Sequence, residues 1–384
     1  MQDKNKVALF STNFLEYSQT FIYDELRHHT RYDVEVFSHQ RLNPDRFNYD
    51  RVNFLAPAAT LQGAVEAAVY NVTTYSPTFM RRIREGNFQL IHAHFGPGSI
   101  YALPYQKATG LPMLATYHGY DVPLLLSALR FHPRNWRYWA RSGAMFRQVS
   151  RFLAASTELH DLLLELGAPP EKVKIWRLGI EIPALSYPAG RTGTKIMMVG
   201  RFVEKKGFEY GIEALGKVAA RFPGAKLQIA GSGDRRANYD QLIGKLGLDG
   251  RVEFLGVLPH AELLARMSEA DVFLAPSVVA EGGNRESGLL VAKEAGARFV
   301  PVIGTLHGGI PEIIDDGETG YLVPERDSEA IAEKLALLLN DEGLRVAMGH
   351  KAREKMEREY DIVRRIAVLE EHYDEVREEY ARRK

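Results

Sequence analysis

Short apolar runs that alternate with helical patterns constrain the fold of this chain more than any other feature. Most of the runs are four or five residues long, carry few polar residues and are rich in β-branched or aromatic side chains. Such runs are typical of strands buried on both faces of a sheet. Because helical patterns such as 210–221 and 238–246 separate them, we predict α/β domains with parallel sheets built from βαβ units. The predicted strands are 7–10, 34–37, 90–93, 113–116 and 152–155 in the first half and 196–199, 227–230, 252–255, 272–275 and 299–303 in the second.

A linker divides the chain into two halves. Residues 183–194 contain two prolines and two glycines and have no apolar period, which is typical of a domain boundary. We therefore predict an N-terminal domain, 1–185, and a C-terminal domain, 195–360, each with about five strands in a doubly wound sheet. The tail from residue 328 is charged and has a helical pattern. Four of its apolar residues are spaced 4, 3 and 4 apart, which puts them on one face of a helix that packs against other residues. They are Ile362, Ile366, Leu369 and Tyr373.

Composition excludes several classes of protein. The chain has 384 residues, too many for one ordinary domain, and its 45% apolar and 26% charged residues are normal for a globular protein. Lys+Arg and Asp+Glu are equal at 49 each, so we expect no nucleic-acid partner. The absence of cysteine excludes disulfides, thiolate nucleophiles and Cys-ligated metals. Apolar runs are too short for a membrane span or a signal segment, so we expect a soluble, cytoplasmic protein.

The segment after the predicted strand 272–275 carries the strongest evidence of chemistry, because ligands of open α/β sheets bind beyond the carboxyl ends of the strands. A glycine-rich loop leads to a helix predicted to begin near 287–288. Glu286 lies just before that helix and Glu294 about two turns inside it. The pair suits a ligand with a phosphate between two sets of hydroxyls, although two glutamates eight apart also occur by chance. The N–H groups predicted to bind the anion are those of Gly288, Leu289 and Leu290.

Two further segments follow predicted strands of the second half. Arg201 and Lys206 come after the first of these strands and could converge on the same phosphates; the alternative is a solvated basic loop. Gly231 and Gly233 form a G-x-G that we assign to a strand-to-helix turn near a nucleotide. Residues 306–312 contain a glycine pair that would admit a phosphate close to the backbone.

Together these segments resemble the retaining glycosyltransferases of family 4, which have the GT-B fold. Glu286 and Glu294 match the family's E-x7-E signature, 200–207 its G-R…K-G loop and 308–312 its G-G-x-P-E turn. The resemblance implies two Rossmann-like doubly wound domains facing across a cleft, with a C-terminal helix, 361–384, that crosses back to the N-terminal domain. It also implies that Arg201 and Lys206 neutralise a nucleoside diphosphate. Glu294 would hold the ribose hydroxyls, and Glu286 would contact the donor sugar as a catalytic residue.

The N-terminal half resembles the family more loosely. Residues 92–94 resemble its H-x-H, and 118–121 its H-G-x-D, which implies that His118 lies beside the donor sugar and phosphate as a catalytic residue. The loop after the first strand reads S-x-T-F-I, as in a subgroup linked to surface or exported polysaccharide assembly. Ser18, Thr20 and Asp121 are therefore candidates for a phosphate or acceptor loop.

The expected reaction is metal-independent. Many glycosyltransferases hold a divalent ion with a D-x-D triplet, and no such triplet occurs in the chain. Cationic side chains would then stabilise the negative charge of the diphosphate in place of a metal ion. We expect no metal and no cofactor, and transfer of a hexose-type sugar, with retention, from a nucleoside-diphosphate donor to a hydroxyl of a glycan or lipid-linked glycan. Family frequency favours UDP. The alternatives are a nucleotide-sugar epimerase or hydrolase of the same fold and a non-catalytic nucleotide-sugar-binding protein.

A basic and aromatic segment, 122–157, has no acidic residue. This local asymmetry resembles surfaces that dock on anionic lipid headgroups, so we expect contact with an anionic acceptor or with the inner face of the cell membrane. The alternative is a helix whose aromatic residues lie in the core and whose arginines are merely solvated. The predicted contact residues are Arg130, Arg134, Arg137, Arg141, Trp136 and Trp139.

Overall fold

Two parallel sheets organise the chain in the computed structural model, which describes residues 4–16, 19–55, 61–188 and 190–383. The chain divides into a first unit, Met1–Gly179 with Ile362–Lys384, and a second unit, Ile180–Asp361. The boundary lies three residues before the predicted linker, 183–194.

The first unit contains a seven-stranded sheet in the order β3-β2-β1-β4-β5-β6-β7, with every pair of neighbours parallel. Its strands are β1 (Asn5–Phe14), β2 (Tyr32–Arg41), β3 (Val52–Phe54), β4 (Leu90–His94), β5 (Met113–Tyr117), β6 (Arg151–Ala154) and β7 (Val173–Ile175). Its first helices are α1 (Thr20–His28), α2 (Leu61–Thr73), α3 (Pro77–Glu85), α4 (Phe95–Thr109), α5 (Asp121–Leu126), α6 (Trp136–Gln148) and α7 (Thr157–Glu165), with 3₁₀ turns at Ala128–Phe131 and Pro170–Lys172.

The second unit contains a six-stranded parallel sheet in the order β10-β9-β8-β11-β12-β13. Its strands are β8 (Lys195–Val199), β9 (Lys226–Ala230), β10 (Val252–Gly256), β11 (Val272–Ala275), β12 (Val302–Thr305) and β13 (Gly320–Val323). Its helices are α8 (Phe208–Val218), α9 (Arg236–Lys245), α10 (His260–Glu269), α11 (Leu290–Gly296), α12 (Ile310–Ile313), α13 (Ser328–Asn340) and α14 (Glu342–Glu359), with 3₁₀ turns at Glu204–Lys206 and Glu281–Gly283.

The order of the strands confirms two doubly wound, Rossmann-like sheets. In each sheet the strand order reverses beside the first strand, between β1 and β4 in the first unit and between β8 and β11 in the second. Ligands of this architecture bind beyond the carboxyl ends of the strands at such a reversal. Every predicted strand overlaps an observed one, although β12 begins three residues later than predicted. The three strands that were not predicted, β3, β7 and β13, are three or four residues long and lie at sheet edges, where the apolar pattern is weakest.

Alternate side chains of the second sheet enter two separate cores. Met198 and Leu274 pack on one face, in a cluster with residues of α8, α9 and α13. Met197 and Phe273 point to the other face, where they cluster with residues of α10, α11 and α14. This two-sided burial explains why the strands read as continuous apolar runs instead of alternating ones.

The last helix, α15 (Ile362–Arg383), packs on the first unit. The predicted apolar face is buried: Ile362, Ile366, Leu369 and Tyr373 are at most 4% exposed. Tyr373 contacts the ring of Tyr32 edge to face, with centroids 5.0 Å apart. The return of the C-terminal helix to the N-terminal domain therefore follows from the burial of one helical face. Within the described part of the chain, we find no helix with the length and apolar character that crossing a bilayer requires.

Candidate active site

Two loops of the second unit meet where its strand order reverses. The loop after β8, 200–207, ends at Gly207, whose φ of 58° is left-handed. A Cβ at this position would clash with the carbonyl oxygen of Pro276, so only glycine lets the loop lie against the end of β11. The N–H of Val278 donates to the carbonyl oxygen of Lys205 at 2.9 Å and joins the two loops.

A cluster of one buried glutamate and two largely covered lysines occupies this junction. Lys205 Nζ and Lys206 Nζ lie 3.1 and 3.2 Å from Glu286 Oε1. Burial would raise the pKa of Glu286, but the charges of Lys206 and Lys205 outweigh it and lower that pKa to about 2. Burial also lowers the pKa of Lys206, against the attraction of Glu286. The cluster therefore holds a fixed carboxylate and carries a surplus of positive charge.

Arg201 is exposed, unlike Lys206. Its charge nevertheless acts on Lys206, whose pKa is lowered first by burial and in part by Arg201. The two cations predicted to hold the diphosphate thus share one region, one at the surface and one inside the cluster.

His307 holds the backbone of Glu286 and was not predicted as a site residue. Its Nε2 accepts the N–H of Glu286 at 2.9 Å, so its proton is on Nδ1 and is donated to Glu325 Oε1 at 2.7 Å. Glu325 Oε2 accepts the N–H of Val279 at 2.8 Å. His307 directly precedes the predicted glycine pair, so the G-G-x-P-E turn was the available signal for this network.

Glu294 lies on α11 beside another histidine. His260 Nε2, at the start of α10, is 2.8 Å from Glu294 Oε1, and Glu294 is 9% exposed. Glu286 and Glu294 are thus each held by a different set of neighbours. No spacing in the sequence connects residue 260 with 294, and the contact exists because α10 and α11 pack on the same face of the sheet.

The helix after the glycine-rich loop begins later than predicted. We predicted a start near 287–288, whereas α11 begins at Leu290 and the backbone of Leu289, with φ 10° and ψ 69°, is not helical. Gly288 and Leu289 therefore precede the helix, and only Leu290 of the three predicted anion-binding N–H groups belongs to it. Glu294 lies about one turn inside the helix instead of two.

Gly231 and Gly233 pack against the loop that carries Arg201. A Cβ at Gly231 would clash with the carbonyl oxygen of Gly200, and a Cβ at Gly233 would meet the backbone of Phe202. The N–H of Phe202 also donates to the carbonyl oxygen of Ser232 at 2.8 Å. These glycines shape the Arg201 loop, and their predicted contact with a nucleotide stays a prediction.

In the first unit, histidines from adjacent strand ends face each other. His94 ends β4 and His118 follows β5, and His94 Nδ1 lies 2.8 Å from His118 Nε2. His94 Nε2 in turn lies 3.2 Å from Oε1 of Glu25, a residue of α1 that was not predicted. Glu25 follows the S-x-T-F-I segment, and Phe21 of that segment contacts the ring of His118 with centroids 4.5 Å apart. A glutamate four residues after Phe21 on the same helical face was the signal that sequence reasoning missed.

The other candidates of the first unit have different outcomes. Thr20 is the first residue of α1 and is partly exposed, and Ser18 lies outside the described residues. Asp121 is fully buried, and its carboxylate accepts the N–H groups of Gly96 at 2.8 Å and Gly119 at 3.3 Å. Burial, opposed by these N–H groups, raises the pKa of Asp121 to about 6. Asp121 thus joins the backbone at Gly96 to the backbone at Gly119, directly after His118.

One group of side chains in the first unit has the composition of a metal site. One potential ligand atom from each of Glu25, His92 and His94 lies within 4.8 Å of the others, and all three residues are buried. Two nitrogens of these histidines have hydrogen-bond partners: His94 Nε2 contacts Glu25, and His92 Nδ1 lies 2.7 Å from the hydroxyl of Tyr373. We therefore describe the group as a hydrogen-bonded network.

The predicted basic and aromatic residues lie at the 3₁₀ turn Ala128–Phe131, on α6 and, in the case of Arg134, in the turn between them. Trp136 and Trp139 are 55% and 45% exposed, whereas Tyr138 and Phe146 of the same helix are buried. Of the four predicted arginines, Arg134 is exposed and the others are partly exposed. Only part of the aromatic content therefore belongs to the core, and an aromatic, basic surface remains.

Two family models match the chain. The model described as Glycosyltransferase Family 4 matches residues 19–182, and the model described as Glycosyl transferases group 1 matches residues 187–355. The first match ends directly before the predicted linker, 183–194, and the second begins within it.

Named relatives and a solved structure agree with the models. The chain is 30% identical over 275 residues to the colanic acid biosynthesis glycosyltransferase WcaL of Escherichia coli, a match that covers 70% of this chain and 66% of that protein. It is 30% identical to a phosphatidyl-myo-inositol mannosyltransferase of Mycobacterium leprae, over 72% of this chain and 73% of that one. Among solved structures, Anabaena Alr3699/HepE in complex with UDP aligns with a TM-score of 0.74 at 18% identity, over 97% of this chain and all of that chain.

Proposed function

Because the chain belongs to glycosyltransferase family 4 and has the GT-B fold, we propose that it transfers a hexose-type sugar from a nucleoside-diphosphate donor, with UDP favoured, to a hydroxyl acceptor on a glycan or lipid-linked glycan. The proposal includes retention of configuration and independence of metal ions. The second unit would bind the donor and the first unit the acceptor. The observation that carries it is the cluster of Lys205, Lys206 and Glu286 at the strand reversal of the second unit.

The charges of this cluster suit a diphosphate leaving group. When the bond between the sugar's anomeric carbon and the phosphate oxygen breaks, negative charge develops on the diphosphate, and Lys206 and Arg201 would stabilise it. Fixed cations at the position of a developing charge are among the strongest catalytic contributions. The surplus positive charge of the cluster supports a site that needs no divalent cation for this purpose.

Glu286 would act as a charged hydrogen-bond acceptor. Its pKa of about 2 keeps it ionised near neutral pH, so it cannot donate a proton there. We assign it to the hydroxyls of the donor sugar, and we assign the ribose hydroxyls to Glu294. The new bond joins the anomeric carbon to the acceptor oxygen, and the acceptor's proton passes to the departing phosphate.

The relatives support the finer parts of the proposal only by analogy. UDP occupies the Anabaena structure, and colanic acid biosynthesis is named for the Escherichia coli relative. A UDP-sugar donor and an acceptor from polysaccharide assembly are therefore our first choices for this chain.

A thermal-shift series tests the donor site. UDP, GDP and ADP are added to the wild type and to Glu294→Ala, with EDTA or with magnesium. A ligand at 100 times its Kd stabilises the folded state by about 2.7 kcal/mol. We expect one diphosphate to raise the Tm of the wild type with EDTA present and to lose most of this effect in Glu294→Ala. Glu333→Ala removes an exposed glutamate of the same unit and should respond as the wild type does.

Transfer assays then separate the proposed activity from its alternatives. Donor consumption that requires an acceptor supports transfer, whereas consumption without acceptor indicates a hydrolase or an epimerase. Binding without any turnover indicates a non-catalytic sugar-nucleotide-binding protein. If none of the three diphosphates raises the Tm with EDTA or with magnesium, the assigned roles of Lys206 and Glu294 are wrong.

We further propose that the first unit docks on an anionic membrane surface. α2 carries an exposed apolar stripe at positions i, i+4, i+8 and i+11, and these side chains are 42–85% exposed. They are Leu61, Val65, Val69 and Val72. Helices with such a face bury it at the boundary between headgroups and acyl chains.

The basic surface adjoins this stripe. Arg141 Nη1, on α6, donates to Thr74 Oγ1 at 3.0 Å, directly after the end of α2. The exposed ring of Phe131 contacts Trp139 edge to face at 5.4 Å, and Arg130 lies over Phe131 at 4.8 Å. Aromatic rings flanked by arginines match a surface whose apolar part enters lipid while its charges meet anionic headgroups.

Co-sedimentation with vesicles tests this docking surface. We expect binding to vesicles that contain phosphatidylglycerol, weaker binding at high salt and little binding to pure phosphatidylcholine. Arg134→Ala should weaken binding about 5-fold, as expected for about 1 kcal/mol per basic residue at the surface. Arg358→Ala, an exposed arginine of the second unit, is the control. Equal binding by both variants would contradict the proposal, and so would equal binding to vesicles with and without phosphatidylglycerol.

A further inference from the structure

One carboxylate of the second unit holds both ends of the segment between β11 and α11, 276–289, which carries Glu286 and is called the Glu286 loop below. Glu325 Oε2 accepts the N–H of Val279, near the start of this loop, at 2.8 Å. Glu325 Oε1 accepts the Nδ1 proton of His307 at 2.7 Å, and His307 Nε2 accepts the N–H of Glu286 at 2.9 Å. Glu325 therefore contacts the start of the loop directly and its end through His307.

The direction of each hydrogen bond in this set follows from the backbone groups. A backbone N–H can only donate, so His307 Nε2 carries no proton where it meets the N–H of Glu286. The proton of this imidazole is therefore on Nδ1, which faces Glu325. Because the N–H of Val279 is also a donor, Glu325 receives two donors at once. A carboxylate satisfies both, whereas an amide of the same shape has one acceptor oxygen and an NH₂ group that can only donate.

Burial makes the contact between His307 and Glu286 important for the loop. Both residues are buried, so water cannot replace the imidazole as the acceptor for the N–H of Glu286 without a rearrangement. A buried N–H that loses its acceptor costs free energy, and the backbone must move if it is to find another one. The same backbone determines where the Glu286 carboxylate meets Lys205 and Lys206. The imidazole therefore contributes to the position of that carboxylate without touching it.

Further residues after β12 and β13 contact the start of the Glu286 loop. Arg326 Nη2 donates to the carbonyl oxygen of Val279 at 2.6 Å, so Glu325 and Arg326 hold both backbone polar groups of that residue. Consecutive side chains of an extended chain point to opposite sides, but Arg326 has a left-handed φ of 61°, which interrupts this alternation. Thr305 Oγ1 donates to the carbonyl oxygen of Ser277 at 2.5 Å. The loop is thus supported by the ends of two neighbouring strands.

We propose that Glu325 and His307 are positioning residues that fix the Glu286 loop and thereby place Glu286 for the hydroxyls of the donor sugar. This inference rests on the proposed function for the identity of the substrate. Glu325 acts through His307, and His307 acts through the backbone of Glu286, so neither side chain needs to touch the substrate. Small displacements of a group that acts in the transition state lower kcat strongly. A displaced loop should therefore lower kcat more than it weakens the binding of UDP, which has no donor sugar.

The first test is Glu325→Gln, which keeps the shape of the side chain and replaces one acceptor by a donor. The contact with Val279 or the contact with His307 must then be lost. We expect faster hydrogen exchange in peptides that cover the Glu286 loop, measured by mass spectrometry without ligand. We also expect a kcat about 10-fold lower, with the Kd of UDP within about 3-fold of the wild type. Glu318→Gln changes an exposed glutamate that precedes β13 and, as the matched control, should behave as the wild type.

The second test concerns His307 itself. Histidine side chains labelled with ¹⁵N report by NMR which ring nitrogen carries the proton, and the signal of His307 is identified by its loss in His307→Gln. We expect the proton on Nδ1 and an unprotonated Nε2 in the wild type without ligand. His307→Gln offers an amide oxygen to the N–H of Glu286 and an NH₂ group to Glu325, whereas His307→Leu offers neither. We expect kcat within about 3-fold of the wild type in His307→Gln and about 10-fold lower or more in His307→Leu.

The outcomes separate this inference from the proposed function. A proton on His307 Nε2 in the wild type overturns the inference, and so do unchanged exchange and kcat in Glu325→Gln. Equal kcat in His307→Gln and His307→Leu also overturns it. Equal losses of kcat and of UDP affinity in Glu325→Gln would indicate a general loss of structure and contradict the positioning role. Absence of transfer by the wild type contradicts the proposed function, whereas the NMR and exchange results still decide whether this pair holds the loop.

Discussion

At the scale of single residues, the second unit places a carboxylate in contact with two ammonium groups. Lys205 and Lys206 hold Glu286, His307 fixes its backbone, and His260 contacts Glu294. Each carboxylate of the E-x7-E signature therefore has a different neighbourhood, which suits two different sets of hydroxyls. Two predictions belong to this scale.

The first concerns the protonation of Glu286. Because its folded-state pKa is about 2, Glu286 stays ionised above about pH 3 and should contribute no acidic limb to the pH profile of kcat/KM between pH 4.5 and 9. Glu286→Gln should lower kcat about 100-fold, a size typical of a lost electrostatic contact in a transition state, without changing the shape of the profile. An acidic limb that disappears in Glu286→Gln would show that this group titrates near neutral pH.

The second concerns His260. Its Nε2 lies 2.8 Å from Glu294, so His260→Ala should release that carboxylate and raise the donor KM about 10-fold, with a smaller effect on kcat. His350→Ala, which removes an exposed histidine that stacks on Tyr187, is the matched control and should leave both constants unchanged. A donor KM equal to that of the wild type in His260→Ala would mean that Glu294 needs no partner.

At the scale of elements, α15 is held by charges as well as by its apolar face. Glu370 accepts the N–H groups of Thr30 at 2.8 Å and Arg31 at 2.9 Å, which follow α1. Arg151 on β6 pairs with Glu375 and Glu379 of the same helix. These polar contacts fix the position of the helix along its axis, which an apolar stripe alone leaves loosely defined.

The contribution of Glu370 should depend on pH. Burial would raise its pKa, but His29 and the N–H groups of Arg31 and Thr30 lower it to about 2, below the usual value of 4.5. The stabilisation is therefore complete above about pH 5 and is lost progressively as pH falls towards 2. Glu370→Gln should lower the free energy of unfolding by about 2 kcal/mol at pH 7 and by less at pH 4. Denaturant unfolding at both pH values measures this, with Glu371→Gln, an exposed neighbour, as control.

At the scale of the whole molecule, the chain leaves the first unit at Gly179, builds the second and returns at Ile362. Each unit has its own sheet and its own core. The return is secured by Trp176, whose Nε1–H donates to the carbonyl oxygen of Arg365 at 2.9 Å. A core substitution should therefore act mainly on the unit that contains it.

A pair of leucine substitutions tests this independence. Leu369→Ala on α15 and Leu335→Ala on α13 each remove a side chain with no exposure, and each should cost 2–5 kcal/mol, a range of about that size being typical of buried leucines. Calorimetry with UDP should show recovery of the transition lowered in Leu335→Ala, by about 2.7 kcal/mol at 100 times Kd, and no recovery in Leu369→Ala. Equal recovery of both variants would mean that UDP binding or unfolding involves both units together.

The local content of the sequence predicted much of the fold. Runs such as 272–275 and 113–116 are buried on both faces, so they had to be strands, and the order of strands and helices implied parallel sheets. The sequence also singled out Lys206, Glu286 and His118 as site residues, because motifs at strand ends reflect the same local geometry wherever this architecture occurs, and their roles stay predictions. It placed the start of α11 too early, because Leu289, with φ 10° and ψ 69°, is not helical.

Only the tertiary structure decided which side chains meet across long separations. Glu25 and His94 are 69 residues apart, and Tyr373 and His92 are 281 apart, yet each pair is in contact. Periodicity and motif spacing describe one element at a time, whereas these contacts follow from the order of strands in the sheet and from the packing of α1 and α15 on it. The contacts of His94 with His118 and with Glu25 depend on this packing, so no reading of the sequence could supply them.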